Sequence, residues 1–266
     1  MMVPVENAAA CGRFPLPASR PLSRDAVKYI AMLTMTLNHI ANIFLAPGSL
    51  LFEFFIDIGY FTAITMCFFL VEGSVRTRSP LRYGIRLLLF AMLSEIPYLL
   101  ALYPDTPLTF PDVLLNLNML WNLFFCYVCL CLLDRCRSPF LLPLCILPAA
   151  GSLLCDWSAF APLFVLLFRW ARGRRNRQLP AWGIALLSFI GVELLGQASI
   201  MAFSAALPRA LGALSGPALA AVVNLLLYNG KRTKRAQRFS KWFFYLYYPA
   251  HLTVLALIHM ALAGGR

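Results

Sequence analysis

Tyr29-Ile30-Ala31-Met32-Leu33-Thr34-Met35-Thr36-Leu37-Asn38-His39-Ile40-Ala41-Asn42-Ile43-Phe44-Leu45 carries no formal charge outside its histidine, yet it is apolar on one side only. Wound at about 100° per residue, it gathers Thr34, Asn38, His39 and Asn42 on one broad arc and leaves Met, Leu, Ile and Phe on the other. The surrounding stretch, 26–46, is long enough to cross a bilayer. Polar groups in hydrocarbon are tolerated when they face a bundle interior or a water-filled cavity. The pattern therefore predicts a helix that turns a polar stripe inward, with an imidazole near mid-depth.

The rest of the chain supports that environment. Of 266 residues, 61% are hydrophobic and 13% charged, and the mean hydropathy is +0.73. This composition excludes an ordinary soluble domain and predicts an all-α, polytopic transmembrane helical bundle. About nine membrane segments can be read: 26–46, 50–72, 83–103, 113–133, 140–154, 157–170, 180–203, 209–228 and 241–262. The fifth and sixth are short enough to be half-length helices or a re-entrant hairpin. Residues 1–25 are rich in proline, hold no apolar core, and read as a mobile cytoplasmic tail rather than a signal peptide. No repeat of fixed period is present.

Net charge is +12, which membrane topology explains better than nucleic acid does. With nine segments, all basic residues except Arg209 and Arg266 fall on one side, while Asp105, Asp112 and Asp156 fall on the other. The positive-inside rule then places the N-terminus in the cytoplasm and the C-terminus outside. The cysteines lie mostly inside apolar segments and read as packing, including the metal-like spacing of Cys126 and Cys129. No metal site is expected.

Buried polar residues carry the functional information. They include Asn38, His39, Asn42, Asp57, Glu95, Asn116, Asn118, Asn122, Glu193, Gln197 and His251. Each ionisable member costs about 2.5–3.5 kcal/mol at the bilayer centre, so several together imply a shared hydrated or paired interior. Pro97 and Pro249, two residues from Glu95 and His251, should kink their helices there. The first cytoplasmic loop brings Arg76, Arg78, Arg82 and Arg86 within eleven residues, a set suited to an anionic ligand because guanidinium forks bind phosphate bidentately. Its other reading is topology plus anionic lipid headgroups, with Glu72 paired to Arg76 at i, i+4. Walker, G-x-G-x-x-G, H-E-x-x-H and G-x-S-x-G motifs are absent, which disfavours a nucleotide-driven motor and a zinc protease.

The stretches Thr34 to Ile40, Gly59 to Gly73, Arg76-Thr-Arg78, Tyr83 to Leu87 and Phe90 to Pro97 resemble the TraX family of membrane proteins. Asn118-Met119, Cys155-Asp156-Trp157 and Tyr245 to Leu252 fit the same pattern, so the likeness runs from about residue 24 to 260. That family is associated with N-acetylation of conjugative pilin and is similar to multi-pass acyltransferases that use cytoplasmic acyl-CoA. The resemblance implies a transmembrane acyltransferase-like domain over 26–266 in a bacterial-type plasma membrane. It implies acetyl transfer from acetyl-CoA to an acceptor amine or hydroxyl, on a peptide, sugar or small molecule. This chain has Asn38-His39 where the family commonly has Asp-His, and Gly59-Tyr60 where it has Gly-Arg.

Acyl transfer needs a base, donors for the thioester oxyanion and a cationic clamp for the CoA phosphates. His39 is the candidate base, with His251 to orient it or polarise the carbonyl, or the two exchanged, and Asn38 beside them. Arg76, Arg78, Arg82 and Arg86 would hold the phosphates. Asn42, Tyr60, Glu72, Glu95, Asn118, Asn122 and Tyr248 would complete the pocket, with Asn118 and Asn122 as amide donors. Expected partners are membrane lipids, acyl-CoA and the acceptor, without nucleic acid; a homodimer is left open. The competing classes are a proton-coupled transporter or carrier, built on the same buried acids, and a non-catalytic membrane partner of the same fold.

Overall fold

The computed structural model describes residues 20–104, 109–135, 143–233 and 237–264. Those residues are helical, apart from turns and two isolated bridges. The first three helices of the described residues start on serines whose hydroxyls accept a first-turn N–H. Ser23 takes that of Ala26, Ser49 that of Phe52, and Ser79 that of Arg82, which satisfies a donor the helix itself leaves open. They introduce α1 (Arg24–Phe44), α2 (Leu50–Arg76) and α3 (Pro80–Leu102).

After α3 come α4 (Phe110–Leu115), α5 (Met119–Arg135), α6 (Ile146–Ser152), α7 (Phe160–Ala171) and α8 (Arg175–Ala198). The chain closes with α9 (Phe203–Ala213), α10 (Ser215–Val222) running into a π turn (Val223–Leu227), and α11 (Gln237–Gly264).

Among the described residues, five helical stretches are long and apolar enough to cross a membrane. These are α2, α3, α8, the continuous Phe203–Leu227 rod, and Trp242–Leu262 within α11. The other four expected segments fall short for identifiable reasons. α1 has the length, but its polar arc dilutes it; α5, α6 and α7 are only 17, 7 and 12 residues long. α6 and α7 are joined by the turn 153–159. The boundary of the expected tail also moves. Residues 20–24 pair with 227–231, through Leu22 N–H to Leu227 O (3.0 Å), Asn229 N–H to Leu22 O (2.9 Å) and Arg24 N–H to Lys231 O (2.8 Å). Residues 1–19, with Arg13, lie outside the described residues, as do Asp105, Arg137, Lys234, Arg235 and Arg266.

The centre of the bundle is α2, which packs against α1, α5, α7, α9 and α10. Its second half, Phe61 to Val71, supplies much of the buried apolar core together with Val27, Phe164, Phe168 and Phe189. α1 and α2 are antiparallel: Ala31 and Thr34 meet Thr62, while Asn38 meets Ile56. Close approach is allowed by glycine. A Cβ on Gly59 would fall 2.4 Å from Asn38 Cβ, and one on Gly216 would fall 2.2 Å from the Asp57 carbonyl, so small residues set both helix contacts. α11, which carries Pro249 in its interior, packs on α3 and α1 and brings His251 against His39.

Candidate active site

One cavity of about 1240 Å³ runs the length of α2, lined at one end by Arg76 and at the other by Glu53. At 1.5 Å per residue those positions are roughly 34 Å apart. His39 lines the cavity between them, three-quarters of the way along α1 and so nearer the Glu53 end than mid-depth.

His39 does not stand alone. Its Nδ1 lies 2.8 Å from His251 Nε2, and the two rings are nearly parallel, 5.0 Å apart at their centroids and 7° from coplanar orientation. His251 Nδ1 lies 2.8 Å from the Tyr247 carbonyl. A carbonyl only accepts, so the proton sits on His251 Nδ1, and in the neutral ring its Nε2 must accept from His39 Nδ1–H. The remaining lone pair is on His39 Nε2. His39 lines the cavity while His251 backs it from α11. Tyr247 and Tyr248 close the setting, their ring centroids 5.0 Å and 5.6 Å from that of His251. Thr36 donates to Met32 O (2.9 Å), so Tyr247 OH donates to Thr36 Oγ1 (2.7 Å) and is occupied.

All four expected phosphate ligands, Arg76, Arg78, Arg82 and Arg86, line the cavity. They differ in freedom. Arg76 is bound to Glu72 (2.5 Å) and donates to the Gly230 carbonyl (2.8 Å). Arg78 and Arg82 are exposed, whereas Arg86 is half-buried over the rings of Tyr83 and Tyr245, with its Nε lacking an acceptor. Glu72 itself is a buried hub: Tyr228 OH donates to both its oxygens (2.6 and 2.8 Å), and Arg24 lies 3.6 Å away.

Sequence reading treated Arg24 and Lys28 as topology signals alone, yet both line the same cavity with Arg232. Lys28 Nζ sits over Phe244 (4.9 Å) and Phe69 (5.8 Å), and Arg24 over Phe69 (5.6 Å). The available signal was their spacing of one helical turn on the helix that carries His39.

The other expected pocket residues divide. Asn42, Tyr60 and Tyr248 line the cavity, as does Asn38. Asn38 donates to Ile56 O (3.3 Å) and accepts from Asn42, so it braces α1 on α2 rather than pairing with His39. Glu95, Asn118 and Asn122 stand behind the wall. Asn118 Nδ2 donates to Glu95 Oε2 (2.6 Å) and Ala91 O (2.9 Å), and Asn122 Nδ2 to Asp156 O (2.9 Å). Both amide hydrogens of Asn118 are thus spent on neighbours, and the Asn122 amide is turned to the backbone of the 153–159 turn.

At the far end, Arg209 is bound by Glu53 and Asp57, both at 2.6 Å. This α2–α9 bond spans 152 residues, and nothing in the local pattern announced it.

No solved structure matches this chain. It is 30% identical over 240 residues to the probable fimbrial assembly protein FimC, serogroup H1, of Dichelobacter nodosus; the match covers 89% of this chain and 95% of that protein. Residues 23–259 match the family described as TraX protein. The chain, with its cavity and histidine pair, belongs to the TraX family.

Proposed function

We propose that the protein is an integral-membrane acetyltransferase of a bacterial-type plasma membrane, moving the acetyl group of cytoplasmic acetyl-CoA to an acceptor. The observation that carries this reading is a paired imidazole with a free lone pair, set in a cavity whose other end gathers cations. Nine crossings, with the N-terminus inside, would put the arginine end in the cytoplasm. The kinship with a protein named for fimbrial assembly makes a fimbrial or pilin-like subunit a natural acceptor.

Each residue then has a task. Arg24, Lys28 and Arg86, with Arg78 and Arg82 at the rim, hold the CoA phosphates. From Lys28 to His39 is roughly 16 Å along the helix at 1.5 Å per residue, a span that an extended phosphopantetheine arm covers. His39 Nε2 takes a proton from the acceptor as it attacks the thioester and returns it to the departing thiolate. His251 receives the His39 Nδ1–H bond and stabilises the ring as it charges.

Thiol release from acetyl-CoA by the purified protein, with and without acceptor, tests the reading. His39→Ala should abolish acceptor-dependent release while leaving the detergent-solubilised protein monodisperse; an unchanged rate removes His39 from the chemistry. Solute flux into liposomes with no CoA present would favour the carrier reading instead.

A further inference from the structure

We infer that Asp156 is the acceptor-selecting residue of this cavity: its carboxylate holds the ammonium form of an amine acceptor and so directs the acetyl group to nitrogen rather than oxygen. This rests on the acetyl-transfer reading above.

Asp156 lies in the turn 153–159 between α6 and α7, where topology alone would leave it facing outer solvent. Instead it lines the cavity with Tyr98, Tyr103 and Tyr248. Its backbone is held from both sides. The N–H donates to Leu117 O (2.8 Å), and the carbonyl accepts from Asn122 Nδ2 (2.9 Å). The next residue, Trp157, has φ +60, a left-handed conformation disfavoured for a residue with a Cβ. Packing maintains it: the Trp157 ring stacks on Phe189 (5.9 Å, 13°) and meets the edge of Tyr60 (5.6 Å, 71°). The turn that carries Asp156 to the wall is therefore over-determined. The buried asparagines and Glu95 acquire a purpose as its support.

Three carboxylates line the cavity: Asp25, Glu53 and Asp156. Asp25 accepts the Thr233 N–H (3.0 Å), and Glu53 is bound to Arg209. Among the described residues, Asp156 alone of the three has neither a cation nor a long-range hydrogen bond on its side chain. The Asp156 side chain is exposed to the cavity, so its carboxylate is open to a ligand, and an ammonium forms a charge-assisted hydrogen bond with it that a hydroxyl cannot match. Tyr248 links it to the chemistry. The Tyr248 ring centroid is 6.3 Å from that of His39, and Tyr248 and Asp156 line the same cavity.

The chemistry balances with acetyl-CoA as the named co-reactant. The ammonium held by Asp156 loses one proton to water and becomes the free amine. Nitrogen then attacks the acetyl carbonyl, forming the C–N bond while the C–S bond breaks. The second nitrogen proton passes to His39 Nε2 and on to the CoA thiolate, giving amide, CoA thiol and one released proton.

The test uses the full chain in detergent. Its probes are a leucine-rich tripeptide amide with a free amino terminus and a counterpart bearing a hydroxyl in place of that amine. Wild type should bind and acetylate the amine in preference to the hydroxyl form. Asp156→Asn should lower the amine-to-hydroxyl ratio of kcat/KM tenfold or more, and Asp156→Glu should restore much of it. Calorimetric binding of both probes to wild type and to Asp156→Glu keeps the question open to measurement should the asparagine variant fail to fold. Equal wild-type affinity for the two probes, or an unchanged ratio in a folded Asp156→Asn protein, overturns the assignment. Preferential amine binding without any CoA release would leave Asp156 its role and instead sink the acetyltransferase reading.

Discussion

Of the polar clusters among the described residues of this apolar bundle, two are built on opposite rules. In the Glu95–Asn118–Asn122 cluster the amide hydrogens end on protein acceptors, and none of the three residues lines the cavity. In the His39–His251 pair the hydrogen-bond chain is closed at only one end, at the Tyr247 carbonyl, and leaves a basic nitrogen on the ring that lines the cavity. A buried network whose donors turn to protein partners braces the fold, even with Glu95 Oε1 left unpaired, whereas one that leaves a basic nitrogen at a cavity is available for chemistry. Substitutions in the two clusters should accordingly fail in different ways.

The largest effect is expected at His39. His39→Ala should cost 10²- to 10⁴-fold in acceptor-dependent CoA release, the usual range for a lost general base, with thermal unfolding shifted little. A variant that loses stability as much as activity would erase the contrast between the clusters. Next comes the cationic end. Lys28→Ala with Arg86→Ala should raise the KM for acetyl-CoA by about a hundredfold, since each removes a charge-assisted contact of about 1.5–3 kcal/mol. The control pair Arg174→Ala and Arg175→Ala, exposed at the start of α8, should change it less than twofold. Equal effects would reduce the cavity cations to topology signals.

How far the sequence carried this contrast depends on the range of the interaction. Helical periodicity placed His39 and Asn38 on one polar arc of α1, and charge spacing picked out Arg76 to Arg86; both are local patterns. Periodicity states which face a residue occupies but not which helix it meets. Asn38 and His39 are adjacent, yet one is used to brace α2 and the other to meet α11. Asn118 and Asn122 looked like candidate oxyanion donors until the fold brought Glu95 and Asp156 to them across 23 and 34 residues. Arg209 read only as a basic residue on the side opposite the other cations, because its partners Glu53 and Asp57 are about 150 residues away in the chain. The same arc that betrayed the site explains why α1 is too polar to rank with the five apolar helices: its polar face is turned to the cavity.

The scaffold side of the comparison is measured by Asn118→Ala. It leaves the Glu95 carboxylate buried without its 2.6 Å donor, at a cost of about 2 kcal/mol in stability, more if the carboxylate stays charged. Glu95→Gln should cost less, since the amide has its own donors and carries no charge to desolvate. An Asn118→Ala protein with unaltered unfolding would mean that the cluster is not structural.

The smallest effect sharpens the other side. His251 is argued to act by accepting the His39 Nδ1 hydrogen, which keeps the lone pair on Nε2, facing the acceptor. A residue that accepts at the same place should then substitute for it. His251→Gln presents an amide oxygen and should retain kcat within a fewfold, whereas His251→Phe keeps the ring volume but offers no acceptor. The phenylalanine variant frees His39 to flip tautomer and should lose about tenfold or more, the loss falling on kcat rather than on the KM for acetyl-CoA. If glutamine and phenylalanine are equally damaging, His251 must itself exchange a proton during turnover, and the two imidazoles would share the base between them.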